Sequence, residues 1–104
     1  MSGNTFQKAQ GGRVLDAIWY CKGYQQISLS TTTPSTLTIP DGSEYAMIQA
    51  EAQNVRWRDD GVAPTTTVGM QILTGAIVLY NGQLLDFQAI AQTAGAILNV
   101  SYYG

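Results

Sequence analysis

The densest group of chemically active side chains lies at residues 56–61, which read Arg-Trp-Arg-Asp-Asp-Gly. The chain contains no histidine and one cysteine, so Ser-His-Asp and Cys-His catalytic arrangements are excluded. Asp59 and Asp60 are adjacent, and adjacent side chains on a strand point to opposite faces, which makes them a poor general acid and base pair. The sequence therefore predicts that the protein is not an enzyme.

The same cluster has two interpretations that the sequence leaves open. As a structural clamp, Trp57 caps the core, an arginine (Arg56 or Arg58) binds an aspartate (Asp59 or Asp60) across a turn, and Gly61 adopts positive φ. As an interface, its tryptophan and arginines are residue types that often dominate binding energy. Asp59 and Asp60 could also contribute to a calcium site, but their spacing does not match the known calcium loop. We therefore expect no metal site and no cofactor.

The overall composition points to a subunit that is covered by neighbours. Only 12% of the residues are charged, while 45% are hydrophobic. A free soluble domain normally carries more surface charge. The net charge of −2 argues against a nucleic-acid partner, and no run approaches the roughly 20 apolar residues of a membrane span. The lone Cys21 excludes an intrachain disulfide, and we expect it to be a buried small apolar residue.

Alternating polar and apolar residues predict an all-β protein. About eight short strands, separated by turn signals, indicate an antiparallel β-sandwich or a jelly-roll-like barrel with an N-terminal arm. Asn81-Gly82 is the pattern of a two-residue hairpin. The alternation places these residues in the predicted core: Ile48, Val55, Trp57, Met70, Ile72, Leu79, Phe87, Leu98 and Val100.

The sequence pattern divides the chain into an N-terminal arm (residues 1–23) and a β-sandwich domain (residues 24–104). The arm is polar up to Gly11-Gly12 and apolar after it. Such an apolar stretch is unfavourable on a free tail, so we expect it to pack on a neighbouring protomer or on a larger particle. The predicted interface residues of the arm are Val14, Leu15, Ile18, Trp19 and Tyr20.

Three stretches resemble small uncharacterised proteins of tailed bacteriophages. They are residues 53–61 (Gln-Asn-Val-Arg-Trp-Arg-Asp-Asp-Gly) with Pro64-Thr65 and Val68-Gly69, the preceding segment 45–51, and the ending 94–103. The resemblance covers residues 24–103; it is specific in the central motif and generic elsewhere. It implies a virion structural protein, either a capsid decoration protein or a small head or tail accessory.

The expected function follows from that resemblance. We expect a capsid decoration (cement) protein that is made in the host cytoplasm, resides in the virion and binds the shell as a homo-oligomer, with a trimer as the first guess. Its partners would be other copies of itself and the major capsid protein or another virion protein. The alternatives are a tail or fibre module that binds a virion neighbour or a host glycan, and a free cytoplasmic binding protein. Six tyrosines would suit glycan stacking, but they are spread over five predicted strands.

Overall fold

The computed structural model describes residues 18–104, and this part of the chain is all-β. Val14 and Leu15 of the predicted interface lie outside the described residues. Within residues 18–104 one 3-10 turn (Leu84–Asp86) interrupts the strands. In chain order the strands are β1 (Cys21–Ser28), β2 (Ser35–Thr36), β3 (Tyr45–Glu51), β4 (Val55–Arg58), β5 (Met70–Ile72), β6 (Ile77–Tyr80), β7 (Gln88–Ala91) and β8 (Ile97–Tyr103). The predicted fold class and the predicted number of strands are confirmed.

The eight strands form two four-stranded antiparallel sheets. The first sheet has the order β1-β8-β3-β6, and the second has the order β2-β7-β4-β5. Residues 73–76 connect β5 to β6 across the sandwich. Such a short connection can only bridge the roughly 10 Å between sheets if β5 and β6 lie on the same side of the sandwich. That side therefore carries two edge strands.

Period-two alternation places the core between the sheets. Ala46, Ile48 and Ala50 of β3 are fully buried. On β8, Leu98, Val100 and Tyr102 are fully buried, while the intervening residues are partly exposed. Each large apolar side chain buried in this way stabilises the fold by about 1.5–3 kcal/mol. The outward residues of the first sheet are consequently available for other contacts.

Most of the predicted core is confirmed, and two members are wrong. Trp57 is half-buried and packs against the core, and Met70 and Leu79 are 62% and 68% exposed. Leu79 is paired with Met47, which points out of the sandwich, so Val78 and Tyr80 turn inward instead. Met70 is the first residue of the edge strand β5 and is exposed, whereas Ile72 on the same face of that strand is buried. The fully buried predicted residues are Ile48, Val55, Ile72, Phe87, Leu98 and Val100.

The predicted hairpin at Asn81-Gly82 is also wrong. Strands β6 and β7 belong to different sheets, so the chain crosses the sandwich through the 3-10 turn. Gly82 is not among the residues with positive φ. A side chain there would place its Cβ 2.5 Å from the Tyr80 hydroxyl. Glycine is needed at this position because the tyrosine ring approaches the backbone closely.

The folded sheet begins before residue 24. Strand β1 starts at Cys21, and just before it Tyr20 exchanges two backbone hydrogen bonds of 3.0 Å with Gly104. Residues 21–23 therefore belong to the first sheet rather than to a separate arm. Cys21 is exposed, contrary to the expectation of a buried residue, because it is paired with Tyr103 at the end of an edge strand.

Candidate functional site

The turn after β4 is held by an ion pair between Arg58 and Asp60. The guanidinium donates from Nε to Oδ1 at 3.0 Å and from Nη2 to Oδ2 at 2.5 Å, which is the expected bidentate geometry. The hydrogen bond from Arg58 lowers the pKa of Asp60 below its ordinary value. Gly61 follows with φ of +83°, so both the arginine–aspartate contact and the glycine conformation predicted from the sequence are present.

Asp59 connects this turn to the other sheet. The Tyr80 hydroxyl donates to Asp59 Oδ2 at 2.6 Å. Tyr80 lies on β6 of the first sheet, whereas Asp59 directly follows β4 of the second. Burial, followed by the hydrogen bond to Asp59, raises the pKa of Tyr80 well above its ordinary value. The bond therefore fastens the two sheets together at one end of the sandwich.

The remaining cluster residues support the same turn. The Trp57 ring stacks on Phe87 with centroids 5.2 Å apart and meets Tyr80 edge-on at 5.4 Å. Arg56 donates from Nη1 to the Gly69 carbonyl at 2.9 Å, which ties the far end of the loop back to β4. Gly69 has φ of +138°, and a Cβ there would lie 3.0 Å from the Trp57 carbonyl oxygen. The loop therefore requires glycine at this point for two reasons.

Each charged side chain of the cluster thus makes at least one hydrogen bond to another group of the same chain. This geometry is that of the predicted structural clamp, and an interface role remains a prediction. Within residues 18–104 there is no group of three or more histidine, cysteine, aspartate or glutamate side chains placed to hold a metal ion. The same part of the chain has no helix that is long and apolar enough to cross a membrane.

A second feature of the molecule is a set of exposed apolar side chains on and beside the edge strands β5 and β6. Ile77 and Leu79 point out of the first sheet. Val68 and Met70 line a groove next to the turn at residues 58–60. Five large apolar side chains there are at least half exposed, and no charged residue occurs between Asp60 and Asp86. Edge strands of soluble proteins are usually protected by charges, proline or bulges. We call this surface the open apolar side, and its members are Val68, Met70, Leu73, Ile77 and Leu79.

The connection between the two edge strands is held in place. The Asn54 side-chain oxygen accepts hydrogen bonds from the Thr74 amide at 2.8 Å and from the Thr74 hydroxyl at 3.0 Å. The Gly75 amide donates to the Ala50 carbonyl at 2.7 Å. These bonds anchor residues 73–76 to the sandwich, so the open apolar side is preformed.

The described residues of the arm differ in whether they pack on the sandwich or stay exposed. Trp19 packs edge-on against Tyr45, with ring centroids 4.9 Å apart, and Tyr45 stacks on Tyr103 at 5.2 Å. Ile18 and Tyr20 are 68% and 64% exposed. The structure therefore brings Trp19 onto its own domain and leaves Ile18 and Tyr20 accessible to a partner.

Sequence reasoning missed Tyr80, Asn54 and the open apolar side. The long-range partners of Tyr80 and Asn54 have no local signature in the sequence. The uncharged stretch between Asp60 and Asp86 was a usable signal, since it covers both edge strands of one side.

Comparison with family models, with curated proteins and with solved structures gives no match. The functional conclusion therefore depends on the geometry described above and on the expectations raised by the sequence.

Proposed function

We propose that this protein is a structural protein of a tailed-bacteriophage virion, and that it decorates the capsid shell as a homo-oligomer. The observation that carries the proposal is the open apolar side. Within residues 18–104 it combines two edge strands, each paired on one side only, with five exposed apolar side chains in a stretch that has no charged residue between Asp60 and Asp86. The motif resemblance at residues 45–69 supplies the virion context.

The chemistry of the open apolar side suits a protein surface as its partner. The fully buried centre of a protein interface is depleted of charged residues and enriched in large apolar ones such as methionine. Full burial of Met70 or Leu79 contributes about 1.5–3 kcal/mol each, and part of that remains available because both are more than 60% exposed. An oligomer that contacts several equivalent positions of a shell at once adds such contributions together, so its overall affinity exceeds that of a single copy.

The edge strands also provide a route to self-association. An unpaired strand can add a neighbour's strand to its sheet through main-chain hydrogen bonds. We expect a closed oligomer, with a trimer as the first form to look for, in which neighbouring copies cover each other's apolar edges. The shell surface or another virion protein would cover what remains.

The experiment compares purified particles mixed with the protein and with two leucine variants. Leu79→Lys places a charge on the open apolar side. Leu85→Lys is the matched control, because Leu85 is 85% exposed but belongs to the 3-10 turn. We expect Leu79→Lys to lose co-sedimentation with particles and oligomerisation in analytical ultracentrifugation, while Leu85→Lys retains both.

Equal binding by the two variants would contradict the proposal. Electron cryomicroscopy of the bound particle provides the second readout. Density on the shell lattice supports a decoration protein, density at the tail tip favours the tail or fibre alternative, and a stable monomer that binds no particle favours a free binding protein.

A further inference from the structure

The outward surface of the first sheet carries an ordered set of polar and aromatic side chains. The strand register aligns Tyr24 of β1 with Ser101 of β8 and, in the next row, Gln26 with Asn99. Asn99 is in turn aligned with Gln49 of β3. We call this surface the outer face, and its members are Tyr24, Gln26, Met47, Gln49, Glu51, Asn99 and Ser101.

Asn99 is the centre of a hydrogen-bond network on the outer face. Its side-chain oxygen accepts from the Tyr24 hydroxyl at 2.6 Å and from Gln26 Nε2 at 3.0 Å. Its Nδ2 donates to Glu51 Oε1 at 2.8 Å and lies 3.4 Å from Gln49 Oε1. The network links three strands and holds these side chains in place before any ligand arrives, which reduces the entropy cost of binding.

The network leaves hydrogen-bonding groups facing outward. Within the described residues, the Gln26 carbonyl, the Gln49 amide nitrogen and the second Glu51 oxygen make no further side-chain bond. They offer a donor and two acceptors at fixed positions. A ligand rich in hydroxyl groups, each of which both donates and accepts, would match this arrangement.

Two shallow grooves add aromatic rings beside the polar groups. One, of about 170 Å³, is lined by Tyr24, Met47, Gln49, Ile77, Asn99 and Ser101. The other, of about 560 Å³, is lined by Trp19, Glu44, Tyr45, Leu79 and Asn81. Tyr24 is 63% exposed and Trp19 is 45% exposed, so both rings are accessible for stacking. Tyr45 and Gln49 lie four residues apart on β3, a distance of about 13 Å along the strand. This length is enough for a short oligosaccharide to contact both grooves.

The charges of the grooves restrict the class of ligand. No lysine or arginine lines either groove, and the acids at this surface are Glu44 and Glu51. Carboxylates without cations disfavour nucleic acids, sulfated sugars and sialylated sugars. A neutral sugar has hydroxyl groups for the amides and carboxylates and apolar ring faces for the aromatic side chains. We infer that the outer face binds a neutral oligosaccharide, a function that goes beyond shell binding and does not require it.

The test is a nuclear magnetic resonance titration of the full ¹⁵N-labelled chain. The neutral probes are maltotetraose, cellotetraose and tetra-N-acetylchitotetraose, and the anionic probes are sialyllactose and a heparin tetrasaccharide. We expect saturable shifts of the side-chain NH₂ signals of Gln26, Gln49 and Asn99 and of the Trp19 indole with at least one neutral probe. The anionic probes should bind more weakly.

Variants distinguish sugar binding at the outer face from nonspecific binding elsewhere on the protein. Tyr24→Ala and Gln49→Ala should each weaken binding by about fivefold or more, the factor expected for losing one stacking contact or one hydrogen bond. Tyr20→Ala and Gln71→Ala are the matched controls. Tyr20 is as exposed as Tyr24, and Gln71 bonds Gln92 on the second sheet. The controls should bind as the unaltered chain does.

The inference would be overturned by the absence of shifts with every neutral probe, by stronger binding of an anionic probe, or by equal binding of the site variants and the controls. Shifts of the same signals on raising the protein concentration without sugar would also overturn it, since a second copy would then cover the outer face. Ile77 and Leu79 of the open apolar side also line the two grooves. Tyr24→Ala and Gln49→Ala leave both residues unaltered, so loss of sugar binding with unchanged co-sedimentation in these variants distinguishes this inference from the particle-binding proposal.

Discussion

The bond between Tyr80 and Asp59 allows the most direct test of how the two sheets are held together. Tyr80 is 6% exposed, and its hydroxyl donates to Asp59 Oδ2 at 2.6 Å. The Tyr80 ring contacts Trp57 and Phe87, with centroid distances of 5.4 and 5.2 Å. Tyr80→Phe retains the ring and removes only the hydroxyl. The change removes the bond between the sheets together with a longer local bond of 3.2 Å from the same hydroxyl to the Gln83 carbonyl.

The expected loss follows from the chemistry of that bond. A hydrogen bond to a charged group contributes about 1.5–3 kcal/mol, more than a bond between neutral groups. Asp59 is only partly buried, so water can replace part of the lost interaction. We therefore expect Tyr80→Phe to lower the free energy of unfolding by about 1.5–2 kcal/mol. For a domain of this size the corresponding fall in Tm is about 6–16 °C.

The assay is urea unfolding followed by circular dichroism, with a thermal melt as the second measurement. Tyr20→Phe is the control, because it removes a hydroxyl from an exposed tyrosine and should leave the midpoint unchanged. Combining Tyr80→Phe with Asp59→Asn completes a double-mutant cycle, in which we expect a coupling energy of about 1 kcal/mol or more. A Tyr80→Phe midpoint within about 0.5 kcal/mol of the unaltered protein would refute this account of the sheet contact.

Three further predictions concern the turn, the core and the arm. Gly61→Val should lower stability by about 1 kcal/mol or more because φ is +83°, although no atom lies within 4 Å of the added Cβ; an unchanged urea midpoint would count against it. Burial raises the pKa of Tyr102 to about 12. The contribution of the protonated Tyr102 hydroxyl to the free energy of unfolding should be complete below about pH 10. It should fall by up to about 1.4 kcal/mol per pH unit as the pH rises towards about 12. If the free energy of unfolding of Tyr102→Phe falls as steeply between about pH 10 and 12 as that of the unaltered protein, this prediction is contradicted. Deleting residues 1–23 should lower the urea midpoint below that of a chain lacking residues 1–17, because only the longer deletion removes the Trp19–Tyr45 contact and the start of β1. Equal urea midpoints of the two deletions would show that this segment does not stabilise the fold, and sedimentation with particles would show whether residues 1–17 serve assembly.

Local chemistry in the sequence was enough to predict the class of fold and the turn after β4. Alternation at residues 46–50 and 98–102 assigns side chains to two faces, because the strand repeat is two residues. The order Arg58, Asp60, Gly61 specifies a clamped turn because the partners are near neighbours in the chain. The lack of histidine, likewise visible without a structure, removes the common catalytic arrangements.

Only the tertiary structure decided which strands are edges and which faces are covered. Alternation places Met70 and Ile72 on the same face of β5, but in the folded sandwich Met70 is exposed and Ile72 is buried. The same holds for Asn81-Gly82, where the ring of Tyr80 and the crossing to β7 override a local hairpin pattern. The open apolar side and the Asn99 network each combine residues far apart in the chain. They exist because sheet order and register, which depend on the packing of the whole sandwich, bring those residues together.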